Sequence, residues 1–280
     1  MRSRVMSSLA LLIGFAFLYI PILSMVVFSF NNSRLVTVWD AQHSPTLKWY
    51  HALFSNEQIL NAAWLSIKIA AMTASIAVVL GTLAGLVLAR FGPFKGRTLL
   101  SGMTTAPLVM PDVITGLSML LLFISMEQLI GWPKGRGVLT ITIAHVTFAM
   151  AYVTVIVQSQ LAGFDDSLEE AAMDLGARPA KVFFRITLPL ILPAIASGWL
   201  LAFTLSWDDL VISQFVAGPG SSTLPMVIFS KMRLGVSPDV NALATILVFI
   251  VAMGVVGGSL WMRRLEKQRA RESQLAASGL

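Results

Sequence analysis

Acidic residues set in apolar sequence are the first candidates for chemistry in this 280-residue chain. Asp112 follows Pro111 inside one long hydrophobic run, and Asp208 and Asp209 stand together near the end of another. An ionisable group at the centre of a bilayer costs about 2.5–3.5 kcal/mol on insertion scales, so such residues face a cavity or a partner and mark a pathway by default. Phe203, Thr204 and Trp207, with Trp199, share the run of the Asp pair. Carboxylates mixed with aromatic faces suit an organic cation, through charge pairing and cation–π contact worth on the order of 1 kcal/mol. Successive helical residues point about 100° apart, so at most one of Asp208 and Asp209 faces a pathway squarely. A blander reading puts the pair near the outer interface, where solvation is cheap, and assigns Trp199 and Trp207 to an interfacial aromatic belt.

Other chemistry is excluded. The chain has no cysteine, hence no disulfide and no thiolate metal site. His43 and His51 fall in a polar loop and His145 lies alone in an apolar segment, where it reads as a satisfied packing residue; no metal site and no catalytic residue is assigned. A phosphate-cradling G-x-x-x-x-G-K-[ST] loop is missing, since neither Gly92-Pro-Phe-Lys-Gly96 nor Gly131-Trp-Pro-Lys-Gly135 has the length or the ending. Energy for any uphill process therefore comes from a separate ATPase or from an ion gradient, and the chain itself binds no nucleotide cofactor.

The elements that hold these residues are membrane spans. Hydrophobic residues make up 56% of the chain and charged residues 12%, half the roughly 25% of a soluble domain. Apolar runs long enough to cross a hydrocarbon core lie at 8–30, 62–89, 99–125, 138–161, 188–210 and 240–262. The first reads as a retained anchor, because its apolar run is too long for a signal peptide. Arg2, Arg4, Arg90, Lys95, Arg97, Arg178, Lys181, Arg185, Arg263, Arg264, Lys267, Arg269 and Arg271 sort to one side. The positive-inside rule puts that side, with both termini, in the cytoplasm. The excess positive charge, +6 overall, follows from this topology and from anionic lipid headgroups, and gives no case for nucleic acid. Segments 31–61, 126–137 and 211–239 become outer loops. A lateral helix with Trp39, Trp49 and Tyr50 is expected in the first, and a short surface helix between Ser222 and Arg233 in the last. Gly81-x-x-x-Gly85 and Gly254-x-x-x-Gly258 read as close-packing faces, against a sister subunit.

The inner loop at 162–188 carries the second set of informative residues. Ser167-Leu-Glu-Glu170 has the form of a capping box. Leu168, Ala171, Ala172 and Leu175 then share one helical face, Gly176 supplies a turn, and Pro179 suits the first turn of a second short helix. The spacing Glu170-Ala171-Ala172, three residues, Gly176, nine residues, Ile186-x-Leu188-Pro189 resembles the signature of permease subunits of binding-protein-dependent ABC importers. Phe28-Ser-Phe-Asn31, Ala106-Pro-Leu-Val-Met-Pro-Asp-Val-Ile-Thr-Gly116, Ala144-His-Val-Thr-Phe148, Glu169-Glu-Ala-Ala-Met-Asp-Leu-Gly-Ala177 and Ser206-Trp-Asp-Asp-Leu-Val-Ile212 extend the likeness over nearly the whole chain. They resemble the polyamine branch of that family, most of all the second permease subunits of putrescine importers. Trp207 departs from the aliphatic residue expected there.

The resemblance implies an all-α membrane protein of the type I importer permease fold, a single permease domain over 1–280 in a bacterial inner membrane. It implies that Glu170, Ala171, Ala172, Asp174, Leu175, Gly176, Ala177, Ile186, Leu188 and Pro189 form a coupling loop pressed into a cleft on the ATPase. It implies a homologous second permease as heterodimer partner, two copies of an ATP-binding subunit holding ATP and Mg²⁺, and a periplasmic polyamine-binding protein. Asp112 and Asp209 would then offer weak, transient contacts to the polyamine. Within the same architecture the solute could be spermidine or ferric ion. A proton-coupled carrier using the same acids is the alternative of another class; it predicts inverted repeats with paired broken helices and leaves the Glu170 loop without a task.

Overall fold

In the computed structural model, which describes residues 2–34, 38–165, 167–234 and 238–277, every regular element among the described residues is helical. Six helical stretches are long and apolar enough to cross a membrane: Met6–Phe28, Glu57–Arg90, Asp112–Ile130, Val138–Ala162, Pro179–Trp207 and Pro238–Arg264. The chain forms two compact units, residues 1–57 with 230–280, and residues 58–229.

The first unit contains helices α1 (Arg2–Phe28), α2 (Lys48–Phe54) and most of the run that ends the chain. Its loop is organised by Asn31, which is 1% exposed. The Asn31 Oδ1 accepts hydrogen bonds from the Asp40 N–H (3.0 Å) and the Ser44 hydroxyl (3.2 Å), its amide donates to the Val38 carbonyl (2.7 Å), and its own carbonyl accepts from Trp49 Nε1 (2.6 Å). Buried polar groups must be paired, and here one asparagine bonds four residues, Val38, Asp40, Ser44 and Trp49. Trp49 and Tyr50 sit on a short helix, α2, whereas Trp39, expected on the same helix, lies outside it.

The second unit holds the residues of interest. It is built from α3 (Glu57–Arg90), α4 (Arg97–Val109), α5 (Asp112–Ile130), α6 (Val138–Ala162), α7 (Ser167–Asp174), α8 (Pro179–Val182), a π-helical turn (Phe183–Thr187), α9 (Leu188–Trp207) and α10 (Val211–Val216). Helix α11 (Leu224–Leu234) matches the expected short helix after Ser222 and is tied to α3 where the Leu224 N–H donates to Ser66 Oγ at 2.8 Å; Ser237 lies outside the described residues. The closing helix α12 (Pro238–Ala277) belongs to the first unit.

Helix α6 is the mast of this unit. Ala149, Val153, Val157 and Leu161 pack with Ala74, Ala77, Ile191 and Ala202 of α3 and α9, while Ile141 and Ala144 pack with Ile69, Phe123, Ile212 and Val216 of α3, α5 and α10. Small residues allow the close approach. A Cβ on Gly81 would sit 2.7 Å from Val153 Cβ and 2.9 Å from the Met150 carbonyl, and one on Gly85 would meet Val157 at 3.1 Å. The Gly81-x-x-x-Gly85 face therefore packs on α6 of its own chain and not on a sister subunit, a correction to the expectation from sequence. Gly254 and Gly258 have open space around them.

Two of the expected spans are broken. The third is not one run over 99–125. Met110 and Pro111 are extended (ψ 134° and 137°), which separates α4 from α5. A proline lacks the N–H for a helical bond and disfavours helix in the residue before it, and Met110-Pro111 breaks here while Pro107 is absorbed within α4. The fifth ends at Trp207, with Asp208 as its C-terminal cap, and resumes as α10 after three residues. The second short helix of the inner loop is likewise no separate element. It runs from Pro179 through the π-turn into α9.

A pocket between broken helices and an exposed loop helix

The two breaks meet. Pro107, Met110, Pro111, Asp112 and Thr115 from one side, Leu205 and residues 208–212 from the other, and Phe148 and Tyr152 of α6 line a cavity of about 520 Å³. Phe148 and Tyr152 are eleventh and fifteenth in the 25 residues of α6, so the pocket lies opposite the middle of that span. The acids thus sit level with the middle of α6 and not with its ends. Irregular backbone at that depth is tolerated where it lines a cavity.

Helix ends give the pocket its sign. The C-termini of α4 and α9 carry partial negative charge and the N-termini of α5 and α10 partial positive charge. Each positive end has its own carboxylate: Asp112 is in the first turn of α5, and Asp209 accepts the N–H groups of Ile212 (3.2 Å) and Ser213 (2.7 Å) at the start of α10. The two negative ends and Asp208 are left over, so the site favours a cation.

Asp208 and Asp209 are unequal. The Asp209 side chain is only 8% exposed and its Oδ2 lies 3.0 Å from His145 Nε2, with His145 fully buried. His145 Nδ1 lies 2.7 Å from Ser206 Oγ, and Ser213 Oγ stands 3.1 Å from Nε2. A carboxylate only accepts, so in neutral His145 the proton sits on Nε2 toward Asp209 and Nδ1 accepts from the Ser206 hydroxyl. Asp209 is consumed by this network and by the α10 amides. Asp208 is exposed, as is Asp112. Both acids line the pocket, but the Asp209 carboxylate is already engaged while that of Asp208 is open to it.

The aromatic residues go elsewhere. Trp199, Phe203 and Trp207 stack along α9 with ring centroids 5.4 and 6.2 Å apart and planes inclined by 18° and 10°. Trp199 Nε1 donates to Ser75 Oγ of α3 at 3.3 Å. Neither Phe203 nor Trp207 lines the acid pocket, and Thr204, exposed, turns its hydroxyl back to the Leu200 carbonyl. The structure therefore brings Asp112, Asp208 and Asp209 together and leaves Phe203, Thr204 and Trp207 on other faces of α9. Ser206 neighbours the acids in sequence, but the roles of His145 and Ser213 are not evident there; the one hint is a histidine in an otherwise apolar segment.

In the loop, α7 has no buried side chain. Leu168, Ala171, Asp174 and Leu175 are exposed, Leu175 at 90%, while Ala172 and Ala177 are partly covered. Its end is a Schellman turn: the Ala177 N–H donates to the Ala172 carbonyl (3.0 Å), the Gly176 N–H to the Met173 carbonyl (2.8 Å), and Gly176 has φ +84°. At its start the Ser167 N–H donates to Asp165 Oδ1 (3.0 Å) in place of the expected Glu170 carboxylate, and that bond, seconded by the Ser167 hydroxyl, holds the Asp165 carboxyl below the ordinary range. Glu170 is exposed. Glu169 turns inward, its Oε1 accepting from the Thr187 hydroxyl at 2.6 Å and lying 3.6 Å from Arg90 Nη2. Leu188 and Ile186 are partly buried and Pro189 exposed.

Residues 77–271 match the family described as binding-protein-dependent transport system inner membrane component. The chain is 57% identical over 271 residues to the putrescine transport system permease protein PotI of Escherichia coli strain K12, covering 96% of this chain and 95% of that one. It is 41% identical over 249 residues to the spermidine/putrescine transport system permease protein PotC of the same strain, covering 89% and 90%. A crystal structure of a bacterial ABC transporter that imports the polysaccharide alginate shares the fold, with a TM-score of 0.70 over 92% of this chain and 95% of that one at 15% identity. The chain belongs to the family of binding-protein-dependent transport system inner membrane components, and is a multi-pass inner-membrane protein with the type I ABC importer permease fold.

Proposed function

We propose that this chain is a membrane-spanning subunit of an ATP-driven importer that carries a polyamine, putrescine before spermidine, from periplasm to cytoplasm. The observation that carries the substrate class is the pocket at mid-span, where two helix C-termini and Asp208 outnumber the positive ends that Asp112 and Asp209 offset. Identity of 57% to a putrescine permease supports the same choice. Ferric ion would want a rigid cluster of oxygen ligands, and among the described residues no group of three or more His, Asp or Glu side chains is placed to hold a metal ion.

In this reading residues 1–280 act as one permease domain. Both termini and the loop 162–188 are cytoplasmic, and 31–61, 126–137 and 211–239 face the periplasm. A homologous second permease completes the pathway as a heterodimer, a periplasmic polyamine-binding protein delivers the solute, and two copies of an ATP-binding subunit hold ATP and Mg²⁺. The exposed face of α7, with Glu170 and Ala171, docks on the ATPase together with the turn at Leu175 and Gly176. Closure of the ATPase dimer moves α7, and through Ile186 to Pro189 moves α9, so that the break holding Asp208 opens to one side and then the other. Asp208 and Asp112 give the diammonium a weak resting point, which hydrolysis clears.

The test is uptake of labelled putrescine into proteoliposomes holding this chain with its partner subunits and enclosed ATP, with and without a proton gradient. Uptake that needs ATP and the binding protein and ignores the gradient is the expected result. Gradient-driven uptake by this chain alone would replace the reading with a carrier, whose broken helices this pocket also has.

A further inference from the structure

Two neighbouring glutamates begin α7 and point in opposite directions. Glu170 is exposed, whereas the Glu169 side chain is 18% exposed and reaches back to Thr187 and Arg90. Arg90 is the last residue of α3, and its guanidinium stands 5.8 Å from the centre of the Phe164 ring, in the segment that leads into α7. Thr187 is the last residue of the π-turn and is 4% exposed. One carboxylate thus joins three elements: the end of α3, the loop helix and the entry to α9.

Beyond its Schellman turn and a light contact with α8 and the π-turn, little else holds α7. It buries no side chain, and beneath it lies an apolar cavity of about 370 Å³ walled by Leu83, Leu86, Val87, Met173 and Phe183. Packing across that space is thin, and close contact is what makes interiors stiff, so the Glu169 bridge, which spans the same cavity wall as Arg90 and Thr187, is the more direct path for a push. The π-turn explains why Thr187 is available. Val182 and Thr187, five residues apart, would face about 140° apart on an α-helix, yet both are buried. The Leu188 N–H bonds to the Phe183 carbonyl, five residues back, and this wider turn brings the pair toward one face. Pro189, with no N–H to donate, follows at once.

We propose that Glu169 is the positioning residue that transmits displacement of α7 to the spans, through Thr187 to α9 and through Arg90 to α3, while Glu170 faces the ATPase. The proposal rests on the coupling reading above. It divides two adjacent, chemically identical side chains into an inner link and an outer contact. Losing the inner link should leave the complex assembled but idle.

The experiment compares wild type, Glu169→Ala, Glu169→Gln, Thr187→Val and Glu170→Ala in proteoliposomes of the whole complex, measuring co-purified ATPase, ATP hydrolysis and labelled putrescine uptake. Glu169→Ala should keep its ATPase partner and hydrolyse ATP while uptake falls about tenfold, within the range of ordinary coupling free energies, so ATP used per putrescine rises. Glu169→Gln, which still accepts from Thr187, should fall less; Thr187→Val, which cuts the arm to α9 and keeps the one to Arg90, should raise the ATP-to-putrescine ratio in the same direction as Glu169→Ala. Glu170→Ala should instead lose co-purified ATPase. An unchanged ATP-to-putrescine ratio in Glu169→Ala, or loss of assembly in both Glu169→Ala and Thr187→Val, overturns the proposal and spares the importer reading. Wild-type uptake that does not depend on ATP overturns both.

Discussion

Replacing His145 by leucine roughly keeps the volume of a fully buried side chain and removes its hydrogen bonds to Ser206 and to Asp209, the second of them shared with the Ser213 hydroxyl 3.1 Å from the same Nε2. The bond to Ser206 joins neutral groups and is worth about 0.6 kcal/mol, the average for interhelical hydrogen bonds in a membrane protein. The bond to the Asp209 carboxylate is charge-assisted and worth about 1.5–3 kcal/mol. The expected loss is therefore roughly 2–3.5 kcal/mol, or roughly 30- to 300-fold in the unfolding equilibrium. It should fall short of the upper end of the 3–5 kcal/mol or so for stranding a buried charge, because Asp209 keeps the amides of Ile212 and Ser213. The assay is detergent-driven unfolding of the purified chain, followed by tryptophan fluorescence. Asp209→Asn in the His145→Leu background should cost less than in wild type, with a coupling of about 1 kcal/mol, since contacting residues are not additive. A His145→Leu variant within about 0.5 kcal/mol of wild type, or strict additivity with Asp209→Asn, would refute the pairing drawn between α6 and the broken fifth span.

Other expectations follow from single contacts. Asp208→Asn should lower putrescine flux at unchanged stability, whereas Asp209→Asn should lower both; equal behaviour in a melting assay would sink the distinction. Gly81→Ala forces a Cβ to 2.7 Å from Val153 and should cost about 1–3 kcal/mol by overpacking, while Gly254→Ala, with nothing nearby, should be silent when both are melted in parallel. Gly176→Pro should destroy the Schellman turn and raise ATP used per putrescine; unaltered uptake would remove the docking-loop argument. The Asn32 amide, helped by the Gln42 and His43 N–H groups and opposed by partial burial, lowers the Asp40 carboxyl from its ordinary value. A lowered folded pKa means that its contribution is complete above the unfolded value of about 3.9 and disappears as pH falls through the folded one. Exchange protection around residues 40–44, taken relative to the unstructured chain at each pH, should therefore fall only below about pH 4, and a loss of protection between about pH 6 and pH 5 would argue against that role.

Spans, turns and the loop helix were legible because they depend on local pattern. Gly176 at φ +84° sits where a helix-ending glycine was expected, and α11 starts two residues past Ser222. Pairings across the fold were not legible. Periodicity says that Gly81 and Gly85 share a face, but not that Val153 of the same chain occupies it. Asp208 and Asp209 are the same residue type in the same apolar context, and only the position of His145, 64 residues away in sequence, makes one structural. Glu169 and Glu170 divide in the same manner, through Thr187. The π-turn leaves no mark beyond Pro189, because an i→i+5 bond arises from what neighbouring helices demand and not from propensity.

The split between Asp208 and Asp209 bears on how such a protein can diverge after duplication. The buried member is fastened to His145, Ser213 and the α10 amides, so its replacement damages the scaffold before it alters any preference. The exposed member carries no such duty, and Asp112 across the cavity carries only a helix end. If the proposed pathway holds, selectivity can drift by substitution at these two positions while the buried frame stays as it is. Transplanting a pocket between paralogous subunits should need those two residues and little of the surrounding backbone.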